Sequence, residues 1–345
     1  MPFLRERNGQ FSPEKIGALL VVLLPLALLL IRAAGDGFAP ADPFGNGGAE
    51  VGGQGLGGQG LGGQGLGAPG LGDQALGNPG IGAPGLGNPS LGGPPGDGPA
   101  LGPRPYVEVI RFIGDWAIRL LLITLAVTPA RRLFNWPKLL AARRTLGLGA
   151  AFLVGVHFVF FFLDIGSLRE GAWEIVLRVY LTIGFIALLG LAALSATSWD
   201  GAIRRLGPAR WAQLHMLVYP IVALGILHFF MQQKLDVTRP TLMAGLFLWL
   251  IGWRIMQHYG RGTGLLNMLA LAVVAGISTA LLEALWYLVA TGVDPVRILK
   301  ANLVFAYSIR PAWWVAGAGL AVALASELML RVRPLPLRRS AQGAT

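Results

Sequence analysis

Runs of about twenty apolar residues, enough to cross a hydrocarbon core of roughly 30 Å as helix, recur along this chain. They lie at residues 16–34, 106–128, 145–164, 175–197, 211–231, 240–257, 265–290 and 311–331. No other feature restricts the fold as strongly. Backbone N–H and C=O groups cannot go unpaired in lipid, so these continuous runs must be helices, and they lack the alternation of a barrel. With 54% hydrophobic and only 13% charged residues, the chain also lies outside the balance of a soluble domain. The expected fold is an all-α, polytopic integral membrane bundle of about eight transmembrane helices.

The formal charge of +11 is explained by where the basic residues fall. Arg5, Arg7 and Lys15 precede the first run; Arg131, Arg132, Lys138, Arg143 and Arg144 follow the second; Arg204, Arg205 and Arg210 follow the fourth. Arg254 and Arg261 mark the end of the sixth, and Arg331, Arg333, Arg338 and Arg339 follow the eighth. Every second connection is therefore basic, which by the positive-inside rule places both termini in the cytoplasm and closes eight spans consistently. Membrane topology accounts for the charge, and no nucleic-acid partner is expected. The first run is read as a retained span, although its basic start and the small residues around Ala39-Pro40-Ala41 also fit a secretory signal peptide.

Five segments result. Residues 1–35 form the first transmembrane helix or signal peptide, and 36–104 a Gly/Pro-rich periplasmic linker. Residues 105–260 form the transmembrane core, 261–331 two additional transmembrane helices, and 332–345 a basic cytoplasmic tail. From Val51 the linker repeats a pentad, VGGQG, LGGQG, LGGQG, LGAPG and onward. Its glycine raises the entropy cost of ordering, and one large apolar residue in five gives little to bury, so a flexible spacer is expected.

Cysteine is absent, which removes iron–sulfur clusters, thiolate ligation and covalent haem attachment from consideration. Of the four histidines, His157, His215 and His228 lie inside apolar runs, where ionisable side chains are scarce and face a cavity, a partner or a ligand. Each alone is compatible with a simple interhelical hydrogen bond. Together they suit non-covalent haem, for which neutral imidazole is the common axial ligand, held between facing helices. His157 and His228 both fall toward the outer side, so their pairing around one outer haem is the simplest geometry, with His215 serving a second, inner site. One obstacle is helical phase, since thirteen residues at about 100° each turn the helix by roughly 220°, and Pro220 between the two histidines can kink or rephase it. His258 reads as an interfacial residue near Trp253 and Arg254.

The order of these residues carries a resemblance. Thr128-Pro129, Arg143-Arg144-x-Leu146-Gly147-Leu148, His157, Arg178-x-Tyr180-Leu181-Thr182-x-Gly184, Leu206-Gly207-x-x-x-Trp211-x-x-Leu214-His215-x-x-x-Tyr219 and His228 together resemble the MsrQ (YedZ) haem-binding membrane subunits of methionine sulfoxide reductase systems. That group lies within the ferric reductase-like transmembrane family. The resemblance covers roughly residues 12–258, apart from the glycine-rich insertion. It implies a six-helix ferric reductase-like core in the bacterial inner membrane with one or two b-type haems ligated by His157, His215 and His228. It further implies flavin mononucleotide (FMN) as a cofactor, electrons from a cytosolic flavin reductase or the quinone pool, and delivery to a periplasmic molybdenum-dependent reductase that repairs oxidised methionine. The insertion and the two C-terminal helices depart from the pattern.

Two further assignments stay open on the sequence. Arg143 and Arg144 either hold haem propionates or a flavin phosphate, to which guanidinium is suited, or merely signal topology. Glu283, read near mid-membrane, either marks a proton or quinone site or bonds to a neighbouring helix. No Gly-x-Gly-x-x-Gly turn in a strand–helix context supplies a dinucleotide site, so the chain is expected to be an electron-transfer subunit, not a self-contained enzyme. A ferric or other metal reductase subunit is the alternative among redox proteins. A transporter or assembly anchor is the alternative from another class.

Overall fold

The computed structural model describes residues 11–33 and 105–332, except Lys234, Leu235 and Tyr307. The pentad repeats and nearly all of the basic tail lie outside the described residues. Helices form at all eight apolar runs. In chain order they are α1 (Pro13–Ala33), α2 (Pro105–Leu133), a 3-10 turn (Pro137–Ala141), α3 (Ala142–Ile165), α4 (Leu168–Leu177), α5 (Val179–Ala196) and α6 (Asp200–Leu206). There follow α7 (Pro208–His215), α8 (Val218–Gln232), α9 (Thr238–His258), α10 (Leu265–Thr291), α11 (Pro295–Ala301) and α12 (Pro311–Val332). Among the described residues, six stretches are long and apolar enough to cross a membrane: Pro13–Ile31, Pro137–Ile165, Val179–Ala196, Pro208–Gln232, Leu265–Thr291 and Pro311–Val332. The other two expected spans, α2 and α9, are helices of 29 and 21 residues with more polar side chains, including Asp115 and Arg119 in α2 and Arg254 in α9. The chain is a multi-pass membrane protein.

The fourth apolar run is not a single rod. Gly166, at a φ of 77°, ends α3, and Ser167 caps α4 by accepting from the Glu170 amide, as expected for a left-handed C-cap followed by an N-cap. At Arg178 the backbone extends (φ −107°, ψ 109°) and separates α4 from α5. Leu168, Trp173, Val176 and Leu177 of α4 are exposed, whereas Gly171 and Ile175 are buried. Hydropathy alone merged the end of α4 with α5 because Ile175, Val176 and Leu177 are as apolar as a span.

Four helices, α2, α3, α5 and α8, pack around one another, with α2 against α3 and α5 against α8 as the main pairings. α1 packs on α3 where Gly149 lies directly under Val22. α9 contacts both α2 and α8 and joins this group to α10 and α12. The α10–α12 seam is made of small residues: a Cβ on Gly276 would come within 2.9 Å of the Ala316 Cβ, and Gly319 faces Ala272. Lipid offers no hydrophobic drive for helices to associate, so such close backbone approach supplies dispersion contacts instead.

That seam also fixes the height of Glu283. Gly276 lies beside Ala312 and Ala316, so Glu283 is level with the first turn of α12, not its middle. Glu283 is fully buried, with Oε1 accepting from Arg310 Nη1 at 3.1 Å and Oε2 from Asn302 Nδ2 at 3.0 Å.

Candidate functional site

His157 on α3 and His228 on α8 come together on the wall of a cavity of about 1240 Å³ bounded by α2, α3, α5 and α8. Their ring centres are 6.4 Å apart with the planes at 86°. Each ring is held through Nδ1 by a backbone carbonyl: His157 bonds to Ile110 O at 2.9 Å and His228 to Tyr180 O at 2.7 Å. A carbonyl only accepts, so Nδ1 carries the proton in both rings and the neutral imidazole keeps Nε2 as a free lone-pair donor.

The same local device presents both carbonyls. Four residues after Ile110 stands Gly114, and four after Tyr180 stands Gly184. In a helix the side chain at i+4 leans back over the carbonyl of residue i, so glycine there opens the carbonyl to an incoming ring. A Cβ on Gly114 would lie 3.1 Å from His157 Nδ1, and one on Gly184 would lie 2.7 Å from His228 Nδ1. Sequence reasoning quoted Tyr180 and Gly184 within a motif without giving them this role, and passed over Ile110 and Gly114. Their signal was the four-residue spacing itself.

The donor set fits haem. An imidazole nitrogen lies roughly 1.2 Å from its ring centre, and a metal bound at about 2.0 Å on each side sets two centres about 6–6.5 Å apart, which agrees with the 6.4 Å found. Among the described residues no group of three or more His, Asp or Glu gathers to hold a metal ion. Two imidazoles alone would suit a metal that brings its remaining ligands with it, as a porphyrin does. The cavity also exceeds the range of about 300–1,000 Å³ usual for small-molecule pockets. Deep in it Ile118, Leu121, Leu188, Leu191 and Ile221 line the wall, while Arg111, Asp164, Arg169, Glu174 and Arg178 gather at the α4 end.

His215 does not line this cavity. It ends α7, stacks on Trp211 with ring centres 4.0 Å apart, and has Nε2 3.3 Å from Thr197 Oγ1. Arg143 lies within electrostatic reach of His215, Tyr219 and Arg254. Arg254 in turn donates through Nε to Tyr219 Oη at 2.6 Å and through Nη2 to Leu125 O at 2.7 Å, tying α9 to α8 and α2. The neighbouring Arg144 faces elsewhere and pairs at the surface with Asp200 at 2.6 Å. His258 lies at the end of α9 against Tyr259, and Glu283 stands apart from both histidine sites.

At the α4 end, Arg178 bonds to Tyr180 Oη at 3.2 Å and pairs with Glu174. Both partners, the tyrosine bond first, raise its pKa above the ordinary guanidinium value.

Comparison with known proteins bears on this geometry. The family model described as "Ferric reductase like transmembrane component" matches residues 113–226, a range that contains His157 and His215 and stops just short of His228. A Xanthomonas campestris pv. campestris (strain 8004) protein named "Protein-methionine-sulfoxide reductase heme-binding subunit MsrQ" is 46% identical over 165 residues, covering 46% of this chain and 73% of the relative. The chain belongs to the MsrQ family. A Rhodospirillum rubrum MsrQ is 41% identical over 166 residues, covering 47% of this chain and 78% of its own, and a Xanthomonas axonopodis pv. citri MsrQ is 44% identical over 164 residues, covering 46% and 73%. No solved structure matches. Helices α10 and α12 lie beyond the part matched by the family model.

Proposed function

We propose that the chain is the haem-binding membrane subunit of a methionine sulfoxide reductase system, with haem b held between His157 and His228. The observation that carries this reading is the pair of imidazoles from separate helices, 6.4 Å apart at their centres and each fixed through Nδ1 by a backbone carbonyl. Held by His157 and His228, haem would supply one-electron exchange. Ile110 and Tyr180 set the tautomer and orientation of the two rings, and such outer-shell bonds also raise ligand basicity. The apolar deep wall excludes water.

His215 is the imidazole of a second, inner site beside Arg143, which takes a second haem or a flavin mononucleotide. Electrons enter at this cytoplasmic side from a flavin reductase or quinol, pass outward, and leave to a periplasmic molybdenum-dependent reductase. The protein sits in the inner membrane with both termini in the cytoplasm.

A reduced-minus-oxidised absorbance spectrum of the purified full chain, with haem quantified, tests the assignment. His157→Ala and His228→Ala should each lose the outer haem and its b-type bands, while His215→Ala should retain it. Unchanged haem content in both outer variants refutes the pairing, and a wild-type protein that binds no haem leaves the histidines to proton transfer or packing.

A further inference from the structure

We infer that the acid side chains of the haem are held at the outer mouth of the cavity by Arg111 of α2 and Arg169 of α4, an assignment that rests on the haem reading above. The deep end of the cavity is walled by Ile118, Leu121, Leu191 and Ile221, and a carboxylate buried there would go unpaired at high cost. Among the described residues, cationic side chains line only the α4 end. Of these, Arg178 is occupied by Glu174 and Tyr180. Arg111 and Arg169 are exposed and form no ion pair or hydrogen bond through their side chains with any described residue.

Arg111 directly follows Ile110, whose carbonyl holds His157, and its side chain lines the cavity that this ring also lines. Arg169 lies in the first turn of α4, the short helix behind Ser167 that closes the same rim. Guanidinium binds carboxylate in bidentate fashion and stays charged at every relevant pH. Arg143 cannot take this role for the outer site: it lies 14 residues before His157 on α3, about 21 Å along the axis.

The experiment compares two ligands in three proteins. Full-length wild type, Arg111→Gln and Arg169→Gln are stripped of haem in detergent and titrated with haem and with haem dimethyl ester, which lacks the carboxylates, following absorbance. Wild type should prefer haem over the diester by about ten-fold or more, as expected for charge-assisted bonds. Each variant should lose most of that preference by binding haem more weakly while binding the diester as wild type does. Retention of the full preference in both variants overturns the assignment and leaves the arginines to contact a partner instead. A variant that also loses the diester is misfolded, and the other, on a different helix, then decides. Failure of wild type to bind either ligand defeats the haem reading itself, a result distinct from loss of the arginine contacts.

Discussion

Placing a methyl group on Gly184 should loosen haem by one to two orders of magnitude without unfolding the protein. The added Cβ would lie 2.7 Å from His228 Nδ1, 2.9 Å from Cε1 and 3.1 Å from Cγ, whereas ordinary contact begins at 3.4 Å. The ring must therefore withdraw by about 0.7 Å or the helices must part, and overpacking of this kind costs about 1–3 kcal/mol. Withdrawal from Gly184 is also withdrawal from Tyr180, because residue and carbonyl share one face of α5. The 2.7 Å bond from Nδ1 would stretch to roughly 3.4 Å, outside the range of a good N–H···O bond. Loss of the bond that orients a metal-ligating histidine lowers metal affinity by about 10–100-fold. Replacing a helical glycine by alanine returns up to about 1 kcal/mol, which offsets part of that cost and leaves the larger signature in the haem. Titration of stripped Gly184→Ala with haem, followed by absorbance, measures the effect. Two comparisons sharpen it. At Gly114 the nearest ring atom is 3.1 Å away, so Gly114→Ala should weaken haem less. At Gly155, two residues before His157, an added Cβ meets nothing within 4 Å, and Gly155→Ala should bind haem as wild type does. Haem affinity in Gly184→Ala within about two-fold of wild type, judged against that 10–100-fold expectation, would refute the argument that the glycine exists to admit the ring.

Other expectations follow from the buried groups and the cofactor. Arg310→Leu leaves Glu283, 1% exposed, as a buried unpaired charge and should destabilise the full chain by about 3–5 kcal/mol in thermal or denaturant unfolding, whereas the double variant Arg310→Leu with Glu283→Leu should recover most of that loss. Removal of haem should lower the unfolding free energy by about 4 kcal/mol at a ligand concentration 1,000 times its Kd, a difference seen as a drop in Tm that His157→Ala and His228→Ala do not show on stripping.

The helices were legible because lipid enforces the simplest pattern in protein sequence: apolar runs of a set length. The proximity of His157 and His228 was legible from depth, since the basic turns put the two at similar distances along their helices. Phase was not legible. Nothing in the apolar run 175–197 announces the extended residue at Arg178, and only the neighbouring Ser167 cap hints that α4 stands alone. The arginine pair divided for the same reason: consecutive helical residues point about 100° apart, so Arg143 faces Tyr219 and Arg254 while Arg144 faces Asp200, and sequence treated them as one feature. Glu283 was visible as a buried acid, but its partners Asn302 and Arg310 lie 19 and 27 residues on, across a reversal of direction that hydropathy does not resolve.

The break between α7 and α8 reconciles the phase of the two histidines on that span. Pro220 has no N–H, and its ring excludes the carbonyl four residues back, which belongs to Met216. That carbonyl accepts from the Tyr219 amide at 3.2 Å instead, and Leu217 likewise turns back three residues to Leu214 O at 3.1 Å. The chain tightens here before α8 resumes. On an unbroken helix His215 and His228 would point roughly 220° apart, yet both meet the same neighbour: His228 bonds to Tyr180 in the first turn of α5, and His215 reaches Thr197, the residue that caps its other end. α5 thus serves as the common rail for the two imidazoles, with one fixed at each end. Because α5 is itself long and apolar enough to cross the membrane, its two ends face opposite sides of the bilayer, and so do the imidazoles tied to them. On the proposed function, charge carried from one side to the other needs binding groups held apart in this way, and here a single proline-containing turn brings both histidines onto one supporting helix.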